Sequence, residues 1–437
     1  MIESSFRFVG SLTELSASPA DWRALVDRSP VGDPLVRSTT SAIIDRVRRD
    51  GDSALRGLAR ELDGADLECL EVPRSVTKRA LDALDPSVRR ALERAAANLA
   101  TAHRAFTPRP VEVEIEAGVI VGRRPDPLDV VGVYAPGGRG AYPSSVLMGA
   151  VPARCAGVGT IVLCSPPGRD GVPASVVLAA AELGRVDRIF AIGGAGAIAA
   201  MGYGTETVPR VDRIVGPGNA YVTEAKLQIQ GAGAAGIDSP AGPSELLVLA
   251  DASADKTTIA RELLAQAEHD PLAAVWVVTD SEPLARAIAA EALAALSHQP
   301  RASIIREALR ARGAILWARS IRDAVEFAAE LAPEHLLLAG KVAETVLPDI
   351  RRAGTVFVGE TSSVTFGDYI TGANHVLPTG GSTRSYSGLS TEDFMRWTTY
   401  QRVTRDAARS LAPDVALLAT AEQLPGHAAA ARAWSES

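Results

Sequence analysis

Short apolar runs recur through the middle of the chain, each followed by an Ala-rich stretch with helical spacing. Val130-Val-Gly-Val-Tyr-Ala135, Thr160-Ile-Val-Leu-Cys164 and Arg188-Ile-Phe-Ala-Ile192 are continuous enough to read as strands covered on both faces. Their spacing of 25 to 30 residues leaves room for one crossover helix each, so they predict a parallel sheet. Glu245-Leu-Leu-Val-Leu-Ala250, Ala274-Val-Trp-Val-Val278, Ala314-Ile-Leu-Trp317 and Thr355-Val-Phe-Val358 predict a second set of strands, with helices near 255–268, 281–296 and 320–330. Ahead of both sets, residues 35–100 repeat apolar positions at three and four. The stretch from Ser41 predicts a helix that stops at Gly51. Past 360 the alternation gives way to Gly, Ser, Thr and Asn up to about 390, a loop long enough to be functional or an arm to a partner. The remainder, 391–437, is Ala-rich and reads as helix.

These patterns predict an α/β protein: two Rossmann-like domains with parallel sheets, a helical N-terminal region and an extended helical C-terminal tail. The expected division is an N-terminal extension over 1–34, a first α/β domain from 35–132 plus 246–388, a second α/β domain over 133–245, and a tail over 389–437. A chain of 437 residues can fill two or three cores of ordinary size. Its 45 Lys and Arg against 52 Asp and Glu give −7, and basic residues form no run longer than a pair, which argues against nucleic acid and for a small partner. The N-terminal segment carries Glu3 and lacks the apolar core of a signal peptide, and the most apolar windows, such as Val172 to Leu183, are interrupted by Pro, Glu or Gly. A cytoplasmic protein with no membrane partner is expected. Cys69, Cys155 and Cys164 form no CxxC pair, so a metal would be held by His, carboxylate or amide groups.

The six histidines divide by context. His103 and His298 sit in ordinary helix or linker surroundings. His269 closes Gln266-Ala-Glu-His269, where an i, i+3 spacing puts amide and imidazole on one helix face; a set of His, Asp and Gln without thiolates suits a catalytic zinc, or a similar divalent ion, rather than a structural one. That spacing also fits surface capping. His335 follows Glu334 before an apolar run, His375 shares a Gly-rich segment with Asp368, and His427 lies in the tail. Gly194, Gly196 and Ala199 satisfy GxGxxA after a strand, which serves either a pyrophosphate or tight helix packing. With Tyr134-Ala-Pro-Gly-Gly-Arg139 and Gly216-Pro-Gly-Asn219, three such loops point to a nucleotide cleft.

Taken in order, Tyr134-Ala-Pro-Gly-Gly-Arg139, Val215-Gly-Pro-Gly-Asn219, Gly236-Ile-Asp with Ala241-Gly-Pro-Ser-Glu245, Gln266-Ala-Glu-His269, Ala332-Pro-Glu-His335, and Gly367-Asp-Tyr with Asn374-His-Val-Leu-Pro378 resemble the histidinol dehydrogenase family over roughly 35–430. The resemblance implies an enzyme with one zinc per subunit that oxidises L-histidinol through an aldehyde to L-histidine with two NAD, at the end of histidine biosynthesis. By the same resemblance, Gln266, His269, Asp368 and His427 are zinc ligands, and Glu334 and His335 the acid/base pair. Ser144 or Ser145, Ser244, His375 and Glu422 hold substrate, while Tyr134 and Asn219 contact NAD. Where the family carries Gln in a GGAQA string this chain has Gly196, which removes an amide from the nucleotide site. The tail, with Glu422 and His427, is expected to reach a partner subunit, giving a homodimer with shared active sites. Two other readings are a related dehydrogenase acting on another small polar alcohol, such as a sulfonated propanediol, and a metal-binding protein that has lost catalysis. Retained Glu334 and His335 argue against the last, since zinc binding alone would not require them.

Overall fold

The structure, a computed structural model, describes residues 5–28, 32–137 and 140–435. In chain order it begins with strand β1 (Phe8–Ser11), followed after a helical stretch by the hairpin strands β2 (Val111–Glu116) and β3 (Val119–Pro127). Next come β4 (Val130–Tyr134), β5 (Thr160–Ser165), β6 (Arg188–Ala191), β7 (Arg213–Val215) and β8 (Gly236–Ile237). The last group is β9 (Glu245–Ala250), β10 (Ala274–Thr279), β11 (Ala314–Trp317), β12 (His335–Ala339), β13 (Thr355–Val358) and β14 (Met395–Val403). The chain divides into two compact units, Met1–Phe106 with Leu128–Phe394, and Thr107–Pro127 with Met395–Ser437.

The larger unit contains two sheets whose strands all pair in parallel. One runs β6-β5-β4-β7-β8 and the other β1-β11-β10-β9-β12-β13. Central strands β9 and β10 are buried at every position, as continuous apolar runs require when helices cover both faces. In the five-stranded sheet the order reverses between β4 and β7, the place where open α/β sheets form a ligand crevice.

Three features of the larger unit differ from the sequence reading. The helices of 34–106, grouped above with the sheet of 246–358, pack instead on helices of the other sheet: Pro34–Leu58 lies against Gly194–Tyr203 and Ala220–Gly231, and Pro86–Phe106 against Pro143–Ala156. Periodicity names the buried stripe of a helix but not the surface that buries it. Gly51 interrupts the helix without ending it, with φ 51° and ψ −132°, and helical backbone resumes to Leu58. The N-terminal extension contributes β1 to the edge of the six-stranded sheet.

The smaller unit is built on an antiparallel sheet, β14-β3-β2, followed by helices Arg405–Ala421 and Pro425–Ser435 that pack on each other. Residues 395–403, expected to be helical, pair with Val119–Pro127 along their whole length. Trp397, Thr398, Thr399, Tyr400 and Val403 favour the pleated backbone, and the pairing supplies the hydrogen bonds a helix would otherwise give.

Candidate active site

In the larger unit a cleft of about 720 Å³ opens between opposite ends of the two sheets. From the five-stranded sheet come the loops after β4 and β7, with Pro136, Gly137 and Pro217–Asn219. From the six-stranded sheet come segments that precede strands: Ser244 before β9, His269 before β10, Arg312 before β11, and Glu334 with His335 at the start of β12. Ser144, Ser145, Gln266, Asp368 and His375 complete the set of expected residues that line it.

The backbone of Glu245 holds both Glu334 and His335. Its N–H donates to Glu334 Oε2 at 2.7 Å, and its carbonyl accepts from His335 Nδ1 at 2.9 Å. Both side chains are buried, and the imidazole stacks on Phe357 with ring centroids 5.9 Å apart. His335 Nε2 lies 3.5 Å from Asp368 Oδ1, yet it is buried with no hydrogen-bond partner. Burial pushes the Glu334 carboxyl up, partly offset by the neighbouring imidazole. Burial alone would lower His335, but the Glu334 and Asp368 carboxylates outweigh it and hold the imidazole well above its ordinary value.

Three imidazoles in the cleft share one device. His335 Nδ1 faces the Glu245 carbonyl, His269 Nδ1 the Gln266 carbonyl at 3.2 Å, and His375 Nδ1 the Asp368 carbonyl at 2.7 Å. A carbonyl can only accept, so each Nδ1 carries a proton and each ring presents Nε2. Burial lowers His375 below the ordinary imidazole value. Burial would raise Asp368, but the His335 imidazole beside it keeps it below the ordinary carboxylate value.

Of the residues expected to meet a nucleotide, two have a local structural role and one points elsewhere. Asn219 lines the cleft and caps Ala220–Gly231, its side-chain oxygen accepting from the N–H groups of Tyr221 and Val222, both at 3.1 Å. Tyr134 is buried, its hydroxyl accepts from Gly194 N–H at 3.0 Å, and burial raises that hydroxyl to about 12. Gly196 is buried inside Gly194–Tyr203 and faces the helix Pro34–Leu58: a Cβ there would lie 2.9 Å from Leu58 Cδ1 and 3.6 Å from Leu55 Cδ2. Its place is a helix crossing, so the packing explanation of GxGxxA holds at this position. Glu422 and His427 belong to the smaller unit, Glu422 at the end of Arg405–Ala421 and His427 in the first turn of Pro425–Ser435, and both are exposed.

The family model for histidinol dehydrogenase matches residues 27–434. Histidinol dehydrogenases of Methanothermobacter thermautotrophicus and Halobacterium salinarum are each 46% identical, over 92% and 95% of this chain and 94% and 97% of their own. The crystal structure of histidinol dehydrogenase from Elizabethkingia anophelis superposes with a TM-score of 0.92 at 33% identity, covering 99% of this chain and 98% of that one. The chain belongs to the histidinol dehydrogenase family.

Histidinol dehydrogenases are NAD-dependent oxidoreductases that use zinc. Among the described residues no three His, Cys, Asp or Glu side chains gather into a metal-binding group. The cleft does bring together His269, with Nε2 presented, the Asp368 carboxylate and the buried Gln266 amide, nitrogen and oxygen donors of the kind zinc accepts at a catalytic site. Their donor types fit zinc. Two cleft residues had no signal in the sequence: Arg28, in a segment without periodicity, and Arg312, at the end of a helix the periodicity did not mark.

Proposed function

We propose that this cleft oxidises the primary alcohol of L-histidinol through the aldehyde to the carboxylate of L-histidine, with two NAD molecules reduced in turn. The observation that carries the reading is His335, whose Nδ1 is held by a backbone carbonyl while its buried Nε2 has no hydrogen-bond partner. In the neutral form of the ring such a nitrogen can take the hydroxyl proton as the carbon is oxidised, and the Glu334 and Asp368 carboxylates that raise its affinity for a proton strengthen it as a base. The aldehyde must then add water before the second oxidation, and Glu334, adjacent in sequence and buried beside His335, is the base proposed to take the proton from that water. Ser144, Ser244, His375 and Glu422 are assigned to hold the substrate, with Tyr134 and Asn219 on the nucleotide side. Gln266, His269, Asp368 and His427 would hold zinc. When bound, zinc supplies a positive charge that orients the substrate's amine and imidazole, and NAD accepts the hydride.

A fourth zinc donor and a second acid arriving from the tail of another copy make the enzyme a homodimer. Support comes from the smaller unit, where Val111, Val113 and Ile115 on β2 and Leu417 and Leu418 on Arg405–Ala421 are more than half exposed, which a second copy would cover. No helix among the described residues is long and apolar enough to cross a membrane. The proposed setting is cytoplasmic, with neither nucleic acid nor membrane as partner. NADH formation measured with L-histidinol beside a panel of amino and sulfonated alcohols tests the substrate. Two NADH per L-histidinol are expected. One NADH per molecule, or a preference for another alcohol, would overturn the assignment, and a solution mass of one 45.6 kDa chain would overturn the dimer.

A further inference from the structure

Arg28 comes from the N-terminal segment, 217 residues before Glu245, and its side chain is completely buried. Its guanidinium grips the Glu245 carboxylate with two bonds, Nε to Oε1 at 2.8 Å and Nη2 to Oε2 at 3.1 Å. Nη2 also donates to the carbonyl of Leu331 at 2.9 Å, and Nη1 to that of Val26 at 3.1 Å, while the group sits 4.8 Å over the Trp276 ring. Leu331 ends the helix Ile321–Leu331, three residues before Glu334. Arg28 therefore touches both segments that set the acid/base pair: the residue whose backbone N–H and C=O hold Glu334 and His335, and the helix end that delivers them.

We propose that Arg28 is a positioning residue for the oxidation, acting through Glu245 on Glu334 and His335 without touching the substrate. The inference rests on the proposed acid/base roles of that pair. A planar fork with five donors can hold a carboxylate and two carbonyls at once, and an ammonium cannot reproduce that geometry. Displacing reacting groups by about 1 Å can slow a reaction on the order of 100-fold.

The test uses Arg28→Lys, Arg28→Met and the double variant Arg28→Met with Glu245→Gln, each measured for thermal midpoint, bound zinc, and kcat and KM with L-histidinol and NAD. Arg28→Met should lower kcat about 10- to 100-fold with KM within about threefold and the zinc content of the parent. Arg28→Lys should recover part of that loss. The double variant removes the stranded buried charge and should regain thermal stability without regaining kcat. If kcat returns with stability in the double variant, Arg28 only neutralises a charge and the proposal fails. It fails equally if folded Arg28→Lys keeps the parent kcat, or if KM carries the whole effect. Glu334→Gln and His335→Asn serve as reference variants: unimpaired turnover in both would sink the acid/base reading itself, whereas their loss alongside an unimpaired Arg28→Lys would sink only the role of Arg28.

Discussion

Gly354 precedes β13 and lies against Glu334, the first residue of the proposed acid/base pair. Its N–H donates to the Pro333 carbonyl at 3.0 Å, and the next N–H, of Thr355, donates to the Glu334 carbonyl at 3.0 Å. A Cβ on residue 354 would stand 2.6 Å from that Glu334 oxygen and 3.2 Å from Leu377 Cβ. Ordinary carbon–oxygen contact is about 3.3 Å, so Gly354→Ala must drive the strands roughly 0.7 Å apart at this point. The obstacle is backbone that cannot rotate away. Overpacking of this kind costs about 1–3 kcal/mol, offset by about 0.4–1 kcal/mol from the lost freedom of the unfolded glycine. A net loss of about 1–2 kcal/mol is expected in urea unfolding. Turnover should suffer more, because the displaced atoms carry Glu334 and His335: kcat with L-histidinol is expected to fall about 10- to 100-fold. An unchanged urea midpoint together with a kcat within threefold of the parent would refute the reasoning, since it would mean the strand accommodates the methyl without moving the pair.

Dialysis against a strong chelator should abolish NADH formation while circular dichroism keeps its helical signal, with zinc restoring activity; full turnover in a preparation shown metal-free by elemental analysis would contradict the ligand assignment. In the same analysis His269→Ala should lose metal, whereas His335→Asn should keep it and lose turnover. Glu334→Gln should slow oxidation of the aldehyde about 10²- to 10⁴-fold and that of the alcohol less, which single-turnover measurements on each can separate. Burial pushes His103 from 6.5 down to about 4, so as pH falls through 6.5 the unfolded chain takes up a proton that the folded one refuses. The stability lost by pH 4 is about 3 kcal/mol, and the gap in urea midpoint between the parent and His103→Leu should shrink toward acid; a constant gap would be the contrary result.

Seven strands of the two parallel sheets were legible because a strand covered on both faces must be apolar throughout, as in Thr160–Ser165 and Glu245–Ala250, whereas β1, β7, β8 and β12 were not named as strands. β2 was not: Val-Glu-Val-Glu-Ile-Glu is exposed at every position, so its alternation marks no core in one chain. The motif residues were visible by chemical type, and the cleft gathers Ser144, Ser244, Gln266, His269, Glu334, His335, Asp368 and His375. Their arrangement was hidden for a topological reason. Loops after strands are where ligands collect, which holds for the segments after β4 and β7, but Glu334 and His335 stand at the beginning of a strand. Gly196 illustrates the converse, a motif whose neighbour across the helix crossing, Leu58, no local pattern could name.

The parallel edge strand β1 pairs Phe8 with Ala314 and Ser11 with Trp317, so the first strand made on the ribosome has a partner roughly 300 residues away. At about 5–20 residues per second, β1 waits about 15 to 60 s after it is made before β11 exists to receive it. During that interval the five-stranded sheet, complete by Ile237, can close, but the six-stranded one cannot. Ribosome-arrested chains ending near 300 should accordingly yield a protease-resistant core lacking the N-terminal segment, and resistance of that segment before 314 would contradict this order. From Ile237 to Ala314 the chain thus grows with one parallel sheet complete and β1 still unpaired, a stage at which an open strand edge invites misassembly.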